Sequence, residues 1–311
     1  MSSRAALGLT LDPEAIRRLW RGIRTDPGRF AVPADPDPDR LGLVEEPFSS
    51  AADVADRLGR LERLLVDDDD RRAVFLTVYT EMTAHTMAAV EANEFEDPEW
   101  TERYLVTFAE YYRRAFRAFE RGTFAAVPDP WLVAFGTAVR DEALVVQDAL
   151  LGINAHIGYD LALTLTDVGI DPDRPRKYAD HRHVDVILAR LVRVQRELLA
   201  ERYAPGLSRV GEELRGLDER WSASALRAAR ETAWRTAVVR TDARRDAVDR
   251  YTRWFLSRTA TGGAALLLSP TVDPRTMRVL RDVEADELAL ASYAQAFHER
   301  ATAETSSLDP D

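Results

Sequence analysis

The residues best suited to chemistry lie in one segment near the middle of the chain, 152–161, which reads Gly-Ile-Asn-Ala-His-Ile-Gly-Tyr-Asp-Leu. His156 and Asp160 are four residues apart, so on a helix their side chains project from one face and can converge. Asn154 lies about 200° around the helix from His156, which predicts a separate contact for it. We predict His156, Asp160 and Asn154 as the catalytic group of the chain.

A histidine and a carboxylate at this spacing suit three different roles. The pair can hold a divalent metal ion through an imidazole nitrogen and a carboxylate oxygen. Asp160 can instead orient His156 as a general base, as the carboxylate of a catalytic triad orients its histidine. The third role is structural, because buried polar groups must find hydrogen-bond partners and such a network fixes the register of a central helix. The spacing alone leaves all three roles open.

The other four histidines and two stripes at helical spacing have simpler interpretations. Glu81 and His85 repeat the carboxylate–imidazole spacing and are weaker candidates as metal ligands. His181, His183 and His298 are interpreted as surface residues. An aromatic stripe is expected in the core, and an arginine stripe either on a solvated face that pairs with the surplus acids or along the wall of an anion pocket. The first comprises Phe108, Tyr111, Tyr112, Phe116 and Phe119, and the second Arg227, Arg230, Arg235, Arg240, Arg244 and Arg245.

Several familiar chemistries are excluded by what the sequence lacks. The chain has no cysteine, so it forms no disulfide, thiolate metal site or cysteine nucleophile. The phosphate-binding loop GxxxxGK[ST], the dinucleotide fingerprint GxGxxG, the zinc motif HExxH and the nucleophile elbow GxSxG are also absent. Lys177 is the only lysine, which leaves little scope for Schiff-base chemistry.

The elements that must position these residues are helices, because strict apolar–polar alternation is almost absent from the chain. Ser50 is a predicted N-cap, and Asp97-Pro98-Glu99 combines a cap, a proline at the first position and an acid in the first turn. The segment 143–168 is apolar on all sides, which places it at the centre of the fold. Helices are predicted at about 12–24, 50–66, 71–93, 97–121, 131–168 (one or two), 180–202, 207–219, 222–240, 243–261 and 275–303.

The net charge and hydropathy of the chain limit the classes of partner and the cellular location that we expect for it. The formal net charge of −11 makes non-specific binding to nucleic acid or an anionic membrane unfavourable. No apolar run approaches the roughly 20 residues of a membrane-spanning helix, and no signal peptide is recognisable, so we expect a cytoplasmic protein without a membrane span. The bias toward arginine and acids indicates either GC-rich coding or adaptation to high salt.

Taken together, these segments resemble a known family. The signature Asn-Ala-His-Ile-x-x-Asp-Leu at 154–161 is similar to that of an uncharacterised helical family, the domain-of-unknown-function family numbered 5995. Similar segments occur in order along 70–260: 79–83, 95–100, Phe108 and Tyr112, Pro128, Trp131 and Phe135, and 229–237. The resemblance implies that His156 and Asp160 belong to the defining segment of the family, and it implies no activity.

The sequence therefore predicts an all-α, single-domain multi-helix bundle with the 143–168 helix central. An irregular arm with a short helix occupies 1–50, the domain 51–303, and a frayed tail 304–311. The predicted function is a metal-dependent or His-based hydrolase acting on a small or lipid-like molecule in a helical-bundle pocket. The alternative is a non-catalytic ligand-binding or scaffold protein in which Asn154, His156 and Asp160 are a structural network. The sequence does not distinguish these two functions and does not predict an oligomeric state.

Overall fold

The computed structural model describes residues 13–32, 36–210, 223–269, 274–287 and 289–306, and these residues contain helices and no β-strand. The all-α prediction is therefore confirmed. Most of the predicted 207–219 helix and the residues 307–311 of the predicted tail lie outside the described residues. The helices are α1 (Pro13–Arg24), α2 (Pro38–Val44), α3 (Ala51–Asp67), α4 (Ala73–Glu91), α5 (Pro98–Glu120), α6 (Asp129–Val139), α7 (Val145–Ala155), α8 (Leu161–Val168), α9 (Arg174–Val210), α10 (Ala223–Ala243), α11 (Asp246–Leu268), α12 (Pro274–Glu287) and α13 (Leu290–Ser306).

Local capping chemistry sets where the helices of the first half begin. The Asp97 carboxylate accepts a hydrogen bond from the Trp100 backbone N–H at 3.1 Å, which starts α5 as predicted. The Ser50 hydroxyl likewise accepts one from the Asp53 N–H at 3.2 Å and starts α3. The predicted single helix at 275–303 is wrong, because α12 and α13 are separate. Ala289, the residue that precedes α13, is neither glycine nor proline, so the sequence carries no signal for this break.

The central element runs from Val145 to Val168 as α7, a π-helical turn at His156–Asp160, and α8. It packs against α4, α5, α6, α10 and α11, and it buries residues on all sides. At Gly152 the approach of α4 is so close that a Cβ atom would lie 2.3 Å from the Phe75 ring. Only glycine permits this contact, which brings Phe75 against the central helix beside His156.

The described part of the first fifty residues packs on the rest of the chain. Helix α1 crosses α11 with backbone against backbone, since a Cβ at Gly22 would lie 1.7 Å from the Arg258 carbonyl oxygen. Phe30, Leu43 and Val44 are buried in the main hydrophobic core. The domain boundary at residue 50 stays a prediction. None of the described helices is long and apolar enough to cross a membrane.

A buried ion-pair network joins the start of α4 to the end of α5. The Arg72 guanidinium donates to Glu120 at 2.6 Å and to Asp70 at 2.6 Å. The Arg72 and Glu120 side chains are almost completely buried, and Arg40 lies 3.3 Å from the other Glu120 oxygen, so the buried charges compensate one another within the network. The network fixes these two helices, both of which supply walls of the candidate site.

Candidate functional site

His156 and Asp160 meet at the centre of the bundle, on the π turn between α7 and α8. His156 Nδ1 lies 2.9 Å from Asp160 Oδ2, and the Trp131 indole N–H donates to the same oxygen at 2.7 Å. Asp160 is therefore held from two sides, by the histidine and by α6. π turns within α-helices occur frequently at functional sites, and this one coincides with the predicted pair.

Aromatic rings enclose the His156 imidazole. The Phe108 ring from α5 stacks on it in parallel at a centroid distance of 3.5 Å, and Tyr79 meets it edge-on at 4.6 Å. Phe75 adds a second edge contact at 5.7 Å. The result is an imidazole that is only 2 % exposed and whose orientation is fixed by one stacked ring and two edge contacts.

The second imidazole nitrogen, Nε2, remains without a hydrogen-bond partner among the described residues, and so does the Tyr79 hydroxyl. Both residues line a cavity of about 70 Å³ between α4, α5, α7, α9 and α10. Its other walls are mainly apolar and include Met82, Leu105 and Leu188. A buried polar atom without a partner is uncommon in a finished structural network, which makes Nε2 a candidate group for contacting a ligand in this cavity.

Burial determines the charge states of the pair. Desolvation lowers the pKa of His156 well below its usual value, so the imidazole is neutral at neutral pH. The same burial raises the pKa of Asp160, and the hydrogen bond from Trp131 opposes that rise. In a neutral imidazole, donation from Nδ1–H to Asp160 leaves Nε2 as an unprotonated acceptor facing the cavity.

Asn154, the third predicted catalytic residue, does not line this cavity. Its side-chain amide donates to the Ala260 carbonyl at 2.8 Å. Its carbonyl oxygen packs against Gly263, where an added Cβ would lie only 2.5 Å from it. Asn154 therefore ties the central helix to α11, on the face away from His156.

The weaker metal candidates, Glu81 and His85, lie in a different cluster. His85 Nε2 is 3.3 Å from Glu81, whose carboxylate also contacts His298 Nδ1 of α13 at 2.5 Å. His298 Nε2 in turn contacts Glu62 at 2.7 Å. The surface interpretation of His298 holds only in part, since 36 % of its side chain is exposed but the residue also bridges α3 and α4.

No group of three or more His, Asp or Glu side chains that could hold a metal ion occurs within the described ranges. His156 and Asp160 face each other through Nδ1 and Oδ2, so those two atoms are occupied by their mutual hydrogen bond. Metal binding by His156, Asp160, Glu81 or His85 stays a prediction.

Two further surface interpretations are wrong. His181 is completely buried, with Nδ1 3.2 Å from the Tyr104 hydroxyl. Arg230, which the stripe of arginines placed on a solvated face, is buried beside it and lines the cavity. His183 is partly exposed and contacts Glu94 at 3.1 Å. The order of residues along α9 and α10 does not reveal that these two helices turn His181 and Arg230 toward each other.

The sequence interpretation also missed residues that complete the site. Phe108 belongs to the predicted core stripe, and nothing in its spacing separates the ring that stacks on His156 from its neighbours. Trp131 and Tyr79 lie in segments that carry the family resemblance, which was the available signal. Neither can be paired with His156 or Asp160 from sequence distance alone.

Comparison with known proteins gives one match. A family model described as "Family of unknown function (DUF5995)" matches residues 51–270. This confirms the family predicted from the sequence and covers somewhat more of the chain than 70–260. No curated protein and no solved structure matches the chain.

Proposed function

The chain belongs to this family of unknown function, and from the geometry of its own site we propose that it is a His-based hydrolase acting on a small apolar ester. The observation that carries the proposal is His156 Nε2, which is buried, unpaired among the described residues and turned into an apolar cavity. A histidine whose Nδ1 is held by a carboxylate and whose Nε2 is free has the arrangement of a general base.

The reaction uses the neutral imidazole of His156 and requires the ionised form of Asp160, which the hydrogen bond from Trp131 favours. His156 Nε2 accepts a proton from a water molecule, whose oxygen adds to the ester carbonyl carbon. Asp160 stabilises the imidazolium that forms and keeps the ring in place, with the Trp131 N–H holding the carboxylate. The carbon–oxygen bond to the alcohol then breaks, and Nε2–H returns the proton to the departing alkoxide. The products are a carboxylic acid and an alcohol, and the base is regenerated.

A metal ion would need further ligands near His156. The cavity walls contain no second histidine, aspartate or glutamate among the residues that the structure describes. The other polar groups of the cavity wall are hydroxyls such as that of Tyr79 and the guanidinium of Arg230. This donor set does not suit a divalent ion, and the proposed reaction uses none.

The test is ester hydrolysis by the purified protein, with p-nitrophenyl butyrate and octanoate as substrates. His156→Gln should reduce kcat/KM by about 10²–10⁴-fold, the usual contribution of a general base. Asp160→Asn and Trp131→Phe, which remove the charge and its N–H donor, should reduce it by smaller factors. His183→Gln is the matched control, because His183 is a partly exposed histidine outside the cavity.

Circular dichroism checks that each variant is folded, and elemental analysis of the active fraction checks for metal. The proposal is wrong if the parent protein hydrolyses neither ester. It is also wrong if folded His156→Gln retains the parent rate, or if activity follows a stoichiometric metal. Tight binding of the esters without turnover would favour the ligand-binding alternative.

A further inference from the structure

A second cavity lies on the other side of the central element, between α1, α7, α10 and α11. Its volume is about 280 Å³, against about 70 Å³ for the cavity beside His156. Ile153 and Ile157 line both cavities, so their side chains lie between the two spaces. Hydrolysis at His156 uses none of the polar groups in the second cavity, which leaves the occupant of this space unassigned.

Asn154 carries the polar group in the interior of this cavity. Its Nδ2 donates to the Ala260 carbonyl at 2.8 Å, which fixes the orientation of the amide and identifies Oδ1 as the other atom. Oδ1 accepts no hydrogen bond from the residues that the structure describes, although an amide oxygen has two lone pairs. A hydrogen-bond acceptor of fixed direction is therefore available at this wall.

Two glycines show that Oδ1 lies on the cavity side of the amide. A Cβ at Gly263 would lie 2.5 Å from Oδ1 and one at Gly158 would lie 3.7 Å from it, and both glycines line the cavity. At these two positions neither α11 nor the π turn places a side chain over the oxygen. The oxygen is thus accessible to a ligand from the space that the glycines leave open.

The charged residues of the wall compensate each other on α1. Glu14 and Arg18 are the charged side chains among the described residues that line the cavity, and Glu14 Oε1 lies 3.2 Å from Arg18 Nε. Glu14 also contacts Arg17 at 3.8 Å, and all three side chains are more than 40 % exposed, so water screens their charges. The interior of the cavity therefore favours a neutral ligand.

The remaining wall is apolar and sets the size of the occupant. It consists of Leu150, Ile153, Ile157, Ala225, Leu226, Ala229, Leu266 and Leu267, together with the two glycines. An apolar protein cavity of about 150 Å³ holds one benzene ring. A volume of about 280 Å³ accommodates about ten non-hydrogen atoms, the size of two fused rings.

We propose that this cavity is a binding site for a neutral, apolar molecule of about ten non-hydrogen atoms whose one N–H or O–H group donates to Asn154 Oδ1. The acceptor selects for the donor, because a ligand without one leaves a polar oxygen desolvated and unpaired. The apolar walls supply the affinity, and the hydrogen bond supplies the orientation. The inference adds a site to the chain and does not depend on hydrolysis at His156.

Isothermal titration calorimetry with indole and indene tests the site, because the two probes share a fused-ring frame and differ in the N–H group. The parent protein should bind indole about fivefold more tightly than indene, the factor expected from one hydrogen bond. Asn154→Leu should remove this preference, since leucine has a similar volume and no acceptor. His156→Gln should bind indole with the parent affinity, because His156 lines the other cavity.

Filling the cavity provides a test that leaves Asn154 in place. Ala229 lines the cavity on α10, so Ala229→Leu should weaken both probes about tenfold or more, since the added carbon atoms overlap the occupant. Ala228→Leu is the matched control, because Ala228 is the exposed neighbour on the same helix and does not line the cavity. It should bind both probes as the parent does. Circular dichroism checks that each variant is folded.

The inference is overturned if indole does not bind, if the parent binds indole and indene equally, or if Ala229→Leu and Ala228→Leu bind alike. The probe comparison in the parent and the two variants of α10 decide the matter if Asn154→Leu does not fold. Indole binding in a protein that hydrolyses no ester would refute the hydrolase and leave this site standing. Ester hydrolysis that depends on His156, without indole binding, would do the reverse.

Discussion

Gly152 and Gly158 flank His156 on the central element, and alanine at these two positions should have opposite effects on stability. A Cβ at Gly152 would lie 2.3 Å from the Phe75 ring, well inside the 3.0 Å that real Cβ atoms respect. A Cβ at Gly158 would have its nearest neighbour, the Ala260 Cβ, at 3.6 Å, an ordinary van der Waals contact. Gly152→Ala and Gly158→Ala are therefore a matched pair of substitutions within one helical element.

The magnitudes follow from two opposing effects. Replacing glycine by alanine in a helix stabilises it by about 1 kcal/mol. Overpacking a core costs about 1–3 kcal/mol, and Gly152→Ala should lie near the upper end because the whole Phe75 ring must move. The expected net loss is about 2 kcal/mol for Gly152→Ala, against a gain of up to about 1 kcal/mol for Gly158→Ala.

Urea unfolding followed by circular dichroism at 222 nm measures both values, provided that the slope m is unchanged between the variants. Because Phe75 also contacts the His156 ring, Gly152→Ala should disturb the cavity as well, and Gly158→Ala is the control for that effect. Equal stability of the two variants, or a more stable Gly152→Ala, would refute the close packing of α4 on α7.

Three further predictions concern charge. Burial opposes protonation of His298, but Glu62 and Glu81 outweigh it and raise the pKa of His298 to about 10. The stabilisation of the fold by the protonated ring is complete below the pKa of about 6.5 in the unfolded chain, and it should be lost as pH rises through 10. Unfolding midpoints of the parent should therefore fall over that window, and a parallel curve for His298→Gln would contradict the bridge. Arg72→Met removes the shorter ion pair of the buried Glu120, which keeps Arg40 at 3.3 Å, and should cost about 3 kcal/mol by urea unfolding, with partial recovery on adding Glu120→Gln. The surplus of acids should make Tm rise between 0.1 and 1 M NaCl, as the Debye length falls from about 10 to about 3 Å; a flat curve in differential scanning calorimetry would favour GC-rich coding as the origin of the composition.

Local features of this fold could be predicted from the sequence because their causes are local. The start of α5 depends on Asp97 and Pro98, which are adjacent in the chain. The meeting of His156 and Asp160 depends on a spacing of four residues within one helical element. In both cases the contacting groups are separated by less than two helical turns, so their spacing in the sequence is enough to predict the contact.

The environment of the site depends on contacts that the sequence does not encode in any spacing. Trp131 reaches Asp160 from another helix, and His298 reaches Glu62 across 236 residues. A histidine near the C-terminus that is flanked by charged residues has the pattern of a surface position. The contacts with Glu62 and Glu81 come only from the packing of α13 on α3 and α4.

The protonation state of His156 decides whether the pair can act as a general base, because the proposed chemistry requires a neutral ring with its proton on Nδ1 and a free Nε2. Nitrogen-15 NMR of histidine-labelled protein reports this, with the His156→Gln spectrum identifying the signals. At pH 7 we predict a protonated, pyrrole-type Nδ1 and an unprotonated, pyridine-type Nε2, with no titration near pH 6.5. An imidazolium at pH 7, or a neutral ring that carries its proton on Nε2, would contradict the account.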